Sequence, residues 1–264
     1  HQPSFAKELY LGRFQPELLA DHLRPDPEAV ERGETVLAQL REFLAGVAGA
    51  ASERDDKVPP EVLQGLAEVG AFGMKIPVEY GGLGLGQVYY NRALMLIGTV
   101  NPSLGALLSA HQSIGVPEPV KQFGTDEQKE HYLRRCAAGE ISAFLLTEPD
   151  VGSDPARLQL SATPTDDGGY LLRGSKLWAT NGSIADLLVV LARVPQSDDR
   201  RGGVTAFVVE ADSPGISVER RNSFMGLRGL ENRLTRFTDV RVSAQNMLGA
   251  EGKGLKIALS TLTT

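Results

Sequence analysis

The chain has 264 residues, 42% of them hydrophobic and 23% charged, with a formal net charge of −6. That length can bury a sizeable core in one or two domains, in the composition range of ordinary globular proteins. The negative balance offers no footing for nucleic acid, and a single cysteine, Cys136, excludes an internal disulfide framework and a cysteine-cluster metal site.

No apolar run approaches the roughly 20 residues needed to span a bilayer. The opening His1-Gln-Pro-Ser4 does not resemble a signal peptide. Glu28 to Ala51 then carries Val36, Leu37, Leu40, Phe43, Leu44 and Val47 at helical spacing. Pro59 and Pro60 open a second helix that runs to about Gly70. Gly81 to Gly86 reads as a tight turn between helices. Its spacing is not that of a dinucleotide fingerprint, and no strand–helix–strand unit surrounds it. Helix resumes from Tyr89 to Ile97, and another starts at Asn101-Pro102. His111, on that helix, suits a helix end or a contact between domains, a substrate pocket being the alternative. Thr125 and Gln128 have the spacing of a capping box before Tyr132 and Leu133. Cys136 follows in the same helical pattern as a small packed side chain.

The period changes near Ile141. Arg157–Thr163, Tyr170–Leu177, Leu187–Val194, Val204–Glu210, Ile216–Glu219 and Arg233–Val240 are short strand candidates, the last with Leu234, Arg236, Thr238 and Val240 on one face. Asp166 to Gly169 is a hairpin signal, and Ser197 to Gly203 a polar, mobile tip. Helix returns at Gly254 and is still running at Thr264. The class is therefore α+β: a helical bundle over 1–140, an antiparallel barrel or sandwich over 141–250, and the start of a further helical domain over 251–264.

Thr147 ends a strand from Ile141 to Leu146, and Glu148-Pro149 turn the chain out of it. Gly152 allows close backbone approach, and Ser153 adds a hydroxyl beside exposed N–H groups. Such a turn is either ordinary or an anion cradle that needs no lysine. Trp178 and Thr180 share a face if their strand alternates plainly. An indole beside a hydroxyl is either core or the wall of a site for an aromatic heterocycle. The two segments together favour the cofactor reading. The four scattered histidines supply no metal cluster, and no metal is expected.

Leu146-Thr-Glu-Pro-Asp-Val-Gly-Ser-Asp154 and Gly174-Ser-Lys-Leu-Trp-Ala-Thr-Asn-Gly182 resemble the first signature and the flavin-lining strand of the acyl-CoA dehydrogenase family. Met225-Gly-Leu-Arg228 and Phe237 to Gly249 resemble the close of its β domain. Ala110 to Gly115 and Ser4-Phe-Ala6 resemble the very-long-chain branch.

The resemblance implies FAD and oxidation of an acyl-CoA to the trans-2-enoyl thioester, hydride passing to flavin N5. It assigns Thr147 to the pyrimidine edge of the flavin, Thr180 to N5 and Trp178 to the ring. Phe144 and Leu146 go to the strand holding its edge, Gly152 to the cradle, and Ser153 to FAD phosphate and the CoA side of substrate. It implies an electron-transfer flavoprotein as acceptor and a homodimer through a further C-terminal domain. The location it suggests is cytoplasmic, with peripheral membrane attachment as the alternative for the full-length protein. The family's glutamate base falls beyond Thr264, so no catalytic residue is assigned within the chain; Glu148 is given a structural role. Ser243 departs from the family's usual proline, and Arg228 to Arg236 is more basic than usual. The alternatives are an acyl-CoA oxidase or flavin-dependent monooxygenase of the same superfamily, and a non-enzymatic scaffold.

Overall fold

The computed structural model describes residues 4–20, 27–47 and 56–263. Helices come first: α1 (Phe5–Tyr10), α2 (Glu17–Ala20), α3 (Pro27–Ala45), α4 (Pro60–Glu68), α5 (Gln87–Val100), α6 (Pro102–Ser113) and α7 (Pro117–Phe123). Residues 48–51 of the expected first long helix lie outside the described residues. Local chemistry sets most starts. Pro59 and Pro60 stand at the head of α4, where a missing N–H costs nothing. The Asn101 side chain accepts from Ser103 N and Leu104 N to cap α6. Leu37 and Leu40 of α3, Ile97 of α5 and Leu104 and Leu107 of α6 meet Phe72 in one cluster. Gly81 to Gly86 folds back on residues 73–76, with Leu83 N, Gly84 N and Leu85 N donating to Gly73 O, Ile76 O and Met74 O.

Asp126–Gln128, Lys129–Leu133 and Arg134–Ala137 run on as a helix whose middle turn is π-helical. The capping box is present: Thr125 Oγ1 accepts from Gln128 N, and Gln128 Oε1 accepts from Thr125 N. The same Gln128 amide donates to Gln245 O and Met247 O, so the box also ties the bundle to the sheet.

The β part is one sheet, ordered β6-β7-β3-β2-β4-β5-β8, from β2 (Ser161–Pro164), β3 (Tyr170–Thr180), β4 (Leu187–Val194), β5 (Gly203–Glu210), β6 (Ile216–Arg221), β7 (Asn232–Val242) and β8 (Met247–Leu248). β1 (Ser142–Leu145) pairs with β4 off this path. The α+β division stands, but the sheet is mixed. β1 and β2 both run parallel to β4, while the other pairings are antiparallel. β4 is buried along almost its whole length, as an interior strand covered on both faces must be. A final helix, α8 (Gly254–Leu262), lays Ile257 and Ala258 into the same core as β4 and β5.

Two strand expectations and one loop expectation change. β2 starts at Ser161, not Arg157, because Gln159 N and Leu160 N donate to the Glu148 carboxylate instead of a strand. β7 does not keep Leu234, Arg236, Thr238 and Val240 on one face. Leu172 pairs with Val240 but Gly174 with Phe237, so β7 holds an extra residue, with Asp239 at φ 52°. That bulge puts Thr235 and Phe237 on the buried side before it, and Val240 and Val242 after it. The tip at 197–203 is also tied down: Arg200 Nη1 donates to Glu251 Oε2 at 2.6 Å and Tyr170 Oη at 3.0 Å. Among the described residues no helix is long and apolar enough to cross a membrane.

Candidate active site

β3 and the end of β1 bring the two signature segments together. Leu177 N donates to Thr147 O at 2.9 Å, which sets the turn after β1 against the strand carrying Trp178 and Thr180. Beside it, Lys176 Nζ donates to Leu146 O at 3.0 Å and Glu148 Oε1 at 2.8 Å. Lys176 is fully buried. Its ammonium is pulled down to about 8 by burial, against the pull of the Glu148 charge. Glu148 reaches onward: its oxygens accept Gln159 N at 2.6 Å and Leu160 N at 2.9 Å. Glu148 and Val151 exchange backbone hydrogen bonds that close the turn.

The strand is not plain at the indole. Lys176 pairs with Thr235 and Ala179 with Arg233, so β3 carries an extra residue there, and Trp178 sits at φ 61°. The bulge moves Trp178 off the face that buries Lys176. Trp178 is 53% exposed, while Ala179, next to it, is in the sheet core. Its ring lies 6.2 Å from that of Phe224 at an interplanar angle of 35°. Thr147 and Thr180 are both half-buried, and neither hydroxyl has a hydrogen-bond partner among the described residues. An open aromatic face with two unengaged hydroxyls nearby in the fold is receptive to a flat, polar-edged ring.

The remaining candidates separate by role. Gly152 and Ser153 are exposed at the tip of the turn, with open space where a Gly152 side chain would go. Phe144 is buried in the core beside Leu187 and Val189, and Leu146 packs at the border of that cluster. These two place the strand; their side chains belong to the core.

Sequence reading missed the pinning of this region. Lys176 follows Tyr170, Leu172 and Gly174 at a spacing of two, and that alternation could have put it on the inward face. Gly174 could also have been singled out: at φ 144°, a Cβ there would stand 2.9 Å from Leu160 Cα. Asn181, at φ 66° and fully buried, donates from Nδ2 to Leu107 O of α6 and Ser142 O of β1. His111 joins the same two elements. Its Nε2 donates to Phe72 O, and its Nδ1 accepts from Ser142 N and Ser142 Oγ. Burial pushes its pKa down to about 4, so it is neutral at pH 7. Thus His111 is a contact between bundle and sheet. Cys136 is a buried thiol pushed well up by burial, a packing residue.

Residues 27–140 match the model of the N-terminal domain of acyl-CoA dehydrogenases, and residues 143–240 that of the middle domain. The chain is 64% identical over 262 residues to the protein named "Probable acyl-CoA dehydrogenase FadE10" of Mycobacterium tuberculosis, covering 99% of this chain and 40% of that protein. It is 38% identical over 271 residues to the mitochondrial very long-chain specific acyl-CoA dehydrogenase of Homo sapiens, covering 97% and 41%. Among solved structures, an acyl-CoA dehydrogenase from Bacillus anthracis complexed with FAD superimposes with a TM-score of 0.73 and 28% identity, over 99% of this chain and 42% of that one. The chain thus spans about 40% of the length of these relatives. With both domain models matched in order, and with the motifs Leu146–Asp154 and Gly174–Gly182 in contact in the fold, the chain belongs to the acyl-CoA dehydrogenase family.

Proposed function

We propose that the full-length protein is an FAD-dependent dehydrogenase of fatty acyl-CoA thioesters, and that this chain supplies one wall of its flavin site. One observation carries the reading: Leu177 N is bonded to Thr147 O, which sets an exposed indole and two unengaged hydroxyls on adjoining segments. Those groups fit the ring of FAD. When bound, FAD supplies the hydride acceptor for α,β-dehydrogenation to the trans-2-enoyl-CoA.

The chain's own residues bind and orient. The Thr147 hydroxyl serves the pyrimidine edge, where one O–H can both donate and accept. The Thr180 hydroxyl donates toward N5, the atom that gains electrons. Trp178 covers the ring and keeps water from it. Gly152 and Ser153 offer backbone N–H groups and a hydroxyl to phosphate, and Ser153 also faces the CoA portion. The α-proton base is a carboxylate from outside this chain. The buried carboxylates attached to this region are committed: Glu148 to Lys176, and Glu231 to Ser183, Arg221 and Arg233. The electron acceptor is an electron-transfer flavoprotein, and the protein is a homodimer.

The test is stopped-flow reduction of the full-length holoprotein by acyl-CoA, followed by reoxidation. Bleaching of the flavin by acyl-CoA, slow return with dioxygen and fast return with electron-transfer flavoprotein are expected. Rapid reoxidation by dioxygen makes it an oxidase, and a protein that retains no flavin removes the reading.

A further inference from the structure

We infer that the buried Lys176–Glu148 pair is a positioning device that sets Thr147 against Trp178 and Thr180, and so fixes the geometry of the flavin site. The inference rests on the flavin reading above. Lys176 holds Thr147 from both sides: its Nζ donates to the carbonyl of the preceding residue, Leu146, and to the carboxylate of the following one, Glu148. Thr147's own carbonyl accepts from Leu177 N, the residue after Lys176. Three consecutive residues of the turn are thereby fastened to two consecutive residues of β3. The Thr147 hydroxyl itself is left unengaged.

The carboxylate extends the fastening. By accepting Gln159 N and Leu160 N it anchors the far end of the excursion that holds Gly152 and Ser153. Leu160 Cα in turn lies against Gly174, where no side chain fits. One ion pair therefore joins the end of β1, the indole strand and the exit of the phosphate-side turn. A surface pair could not do this, because water would compete for each bond and the side chains would wander. Lys176 at 0% and Glu148 at 6% side-chain exposure have no such competitor. Two hydrogen-bonded charges have little freedom to drift in a dry site. Lys176 and Glu148 are thus positioning residues, acting through Thr147 and the Gly152–Ser153 turn and touching no reacting atom.

The experiment compares the full-length holoprotein with Lys176→Met and with the double variant Lys176→Met/Glu148→Gln. The melting temperature of the apoprotein, the dissociation constant for FAD and the visible spectrum of bound flavin are read for each. In Lys176→Met, the melting temperature falls, FAD binds at least tenfold more weakly and the flavin bands shift. In the double variant no charge is left buried and alone, so the melting temperature recovers. FAD binding stays at least tenfold weaker, because the grip on Leu146 O has gone. A dissociation constant that recovers together with the melting temperature overturns the inference and makes the pair a stability element only. So does an unchanged dissociation constant in folded Lys176→Met. Should Lys176→Met fail to fold, Glu148→Gln alone decides: it loses one of the three bonds to the carboxylate, FAD binding weakens at least threefold, and unchanged binding overturns the inference. An unmutated protein that takes up no FAD removes the function reading itself, and is recognised before any variant is made.

Discussion

At the residue scale, Thr180 and His111 show opposite uses of a polar group. Thr180 is half-buried with its hydroxyl unengaged, whereas His111 is buried with both ring nitrogens bonded. Thr180→Val nearly keeps shape and removes the donor proposed for the flavin. A bond to the atom that gains electrons strengthens as the reaction proceeds, so its loss acts on the rate more than on resting binding. In full-length protein the expected result is flavin reduction slowed by about tenfold to a hundredfold, since one lost charge-directed bond is worth ~1.5–3 kcal/mol. FAD affinity changes little. Single-turnover reduction at the unmutated rate removes Thr180 from that role. His111 makes a different forecast. Its folded pKa of about 4 lies below its ordinary 6.5, so the unfolded chain binds its proton first as pH falls. Stability is therefore full above 6.5 and is lost as pH drops toward 4. Between pH 7 and pH 5 the loss is about 2 kcal/mol. Denaturant titrations of the unmutated chain should show that fall in excess of any shown by His111→Gln; equal falls would mean that His111 is not buried neutral.

At the element scale, the strands of this fold are shaped by irregularities. The bulge in β3 turns Trp178 outward while Lys176 turns in, and the bulge in β7 returns Val240 and Val242 to the core. The close crossing of β3 and the segment before β2 depends on Gly174. Gly174→Ala places a methyl 2.9 Å from Leu160 Cα at a φ of 144°. Overpacking and backbone strain together cost on the order of 2–4 kcal/mol. The shift also pulls Leu160 N from Glu148, so urea midpoint and flavin retention should fall together; an unchanged midpoint refutes the close crossing. Helices were legible in the sequence because their signals are local. Asn101-Pro102 caps within three residues, and Thr125 with Gln128 closes its own box. The strand period was legible too, and it could have placed Lys176 on the inward side, a step the sequence reading did not take. What could not be read were partners distant along the chain. Arg157–Leu160 looks like strand until Glu148, elsewhere in the chain, takes two of its N–H groups. The 197–203 tip looks free until Glu251 reaches Arg200. The outward Trp178 depends on a one-residue excess over β7, which no pattern within β3 announces. The motif residues were found by type and order; the ion pair that places them was not, because Lys176 and Glu148 each read as ordinary alone.

At the scale of the whole molecule, the bundle and the sheet form one support, and the site they make is open. His111 and Asn181 tie α6 to β1, Gln128 ties the capping box to β8, and Arg135 forks onto Glu210 at 2.7 and 2.8 Å. On α8, Leu255 already packs against the core it shares with Ile257 and Ala258, whereas Leu259 and Leu262 stand about half exposed. Trp178 is also exposed, with Phe224 beside its ring, and Met225, next in sequence to Phe224, is fully exposed. On the proposed reading these surfaces are covered in the full-length protein; the chain spans about 40% of the length of its relatives. The 264-residue chain alone should therefore show no acyl-CoA dehydrogenation, even with added FAD. The chemical reason is that Glu148 and Glu231, the buried carboxylates at hand, are held by lysine, serine and arginine partners, and neither is a free base. The physical reason is water. An uncovered ring and thioester stay hydrated, and solvent competes with the hydrogen bonds that must stabilise charge developing on the carbonyl. An assay with acyl-CoA and an artificial electron acceptor compares the two forms directly. Turnover at least a thousandfold below that of the full-length protein is expected, about the loss when a general base and a closed site go together. Comparable rates would place the base inside residues 1–264 and overturn the assignment of Glu148 and Glu231 to structure.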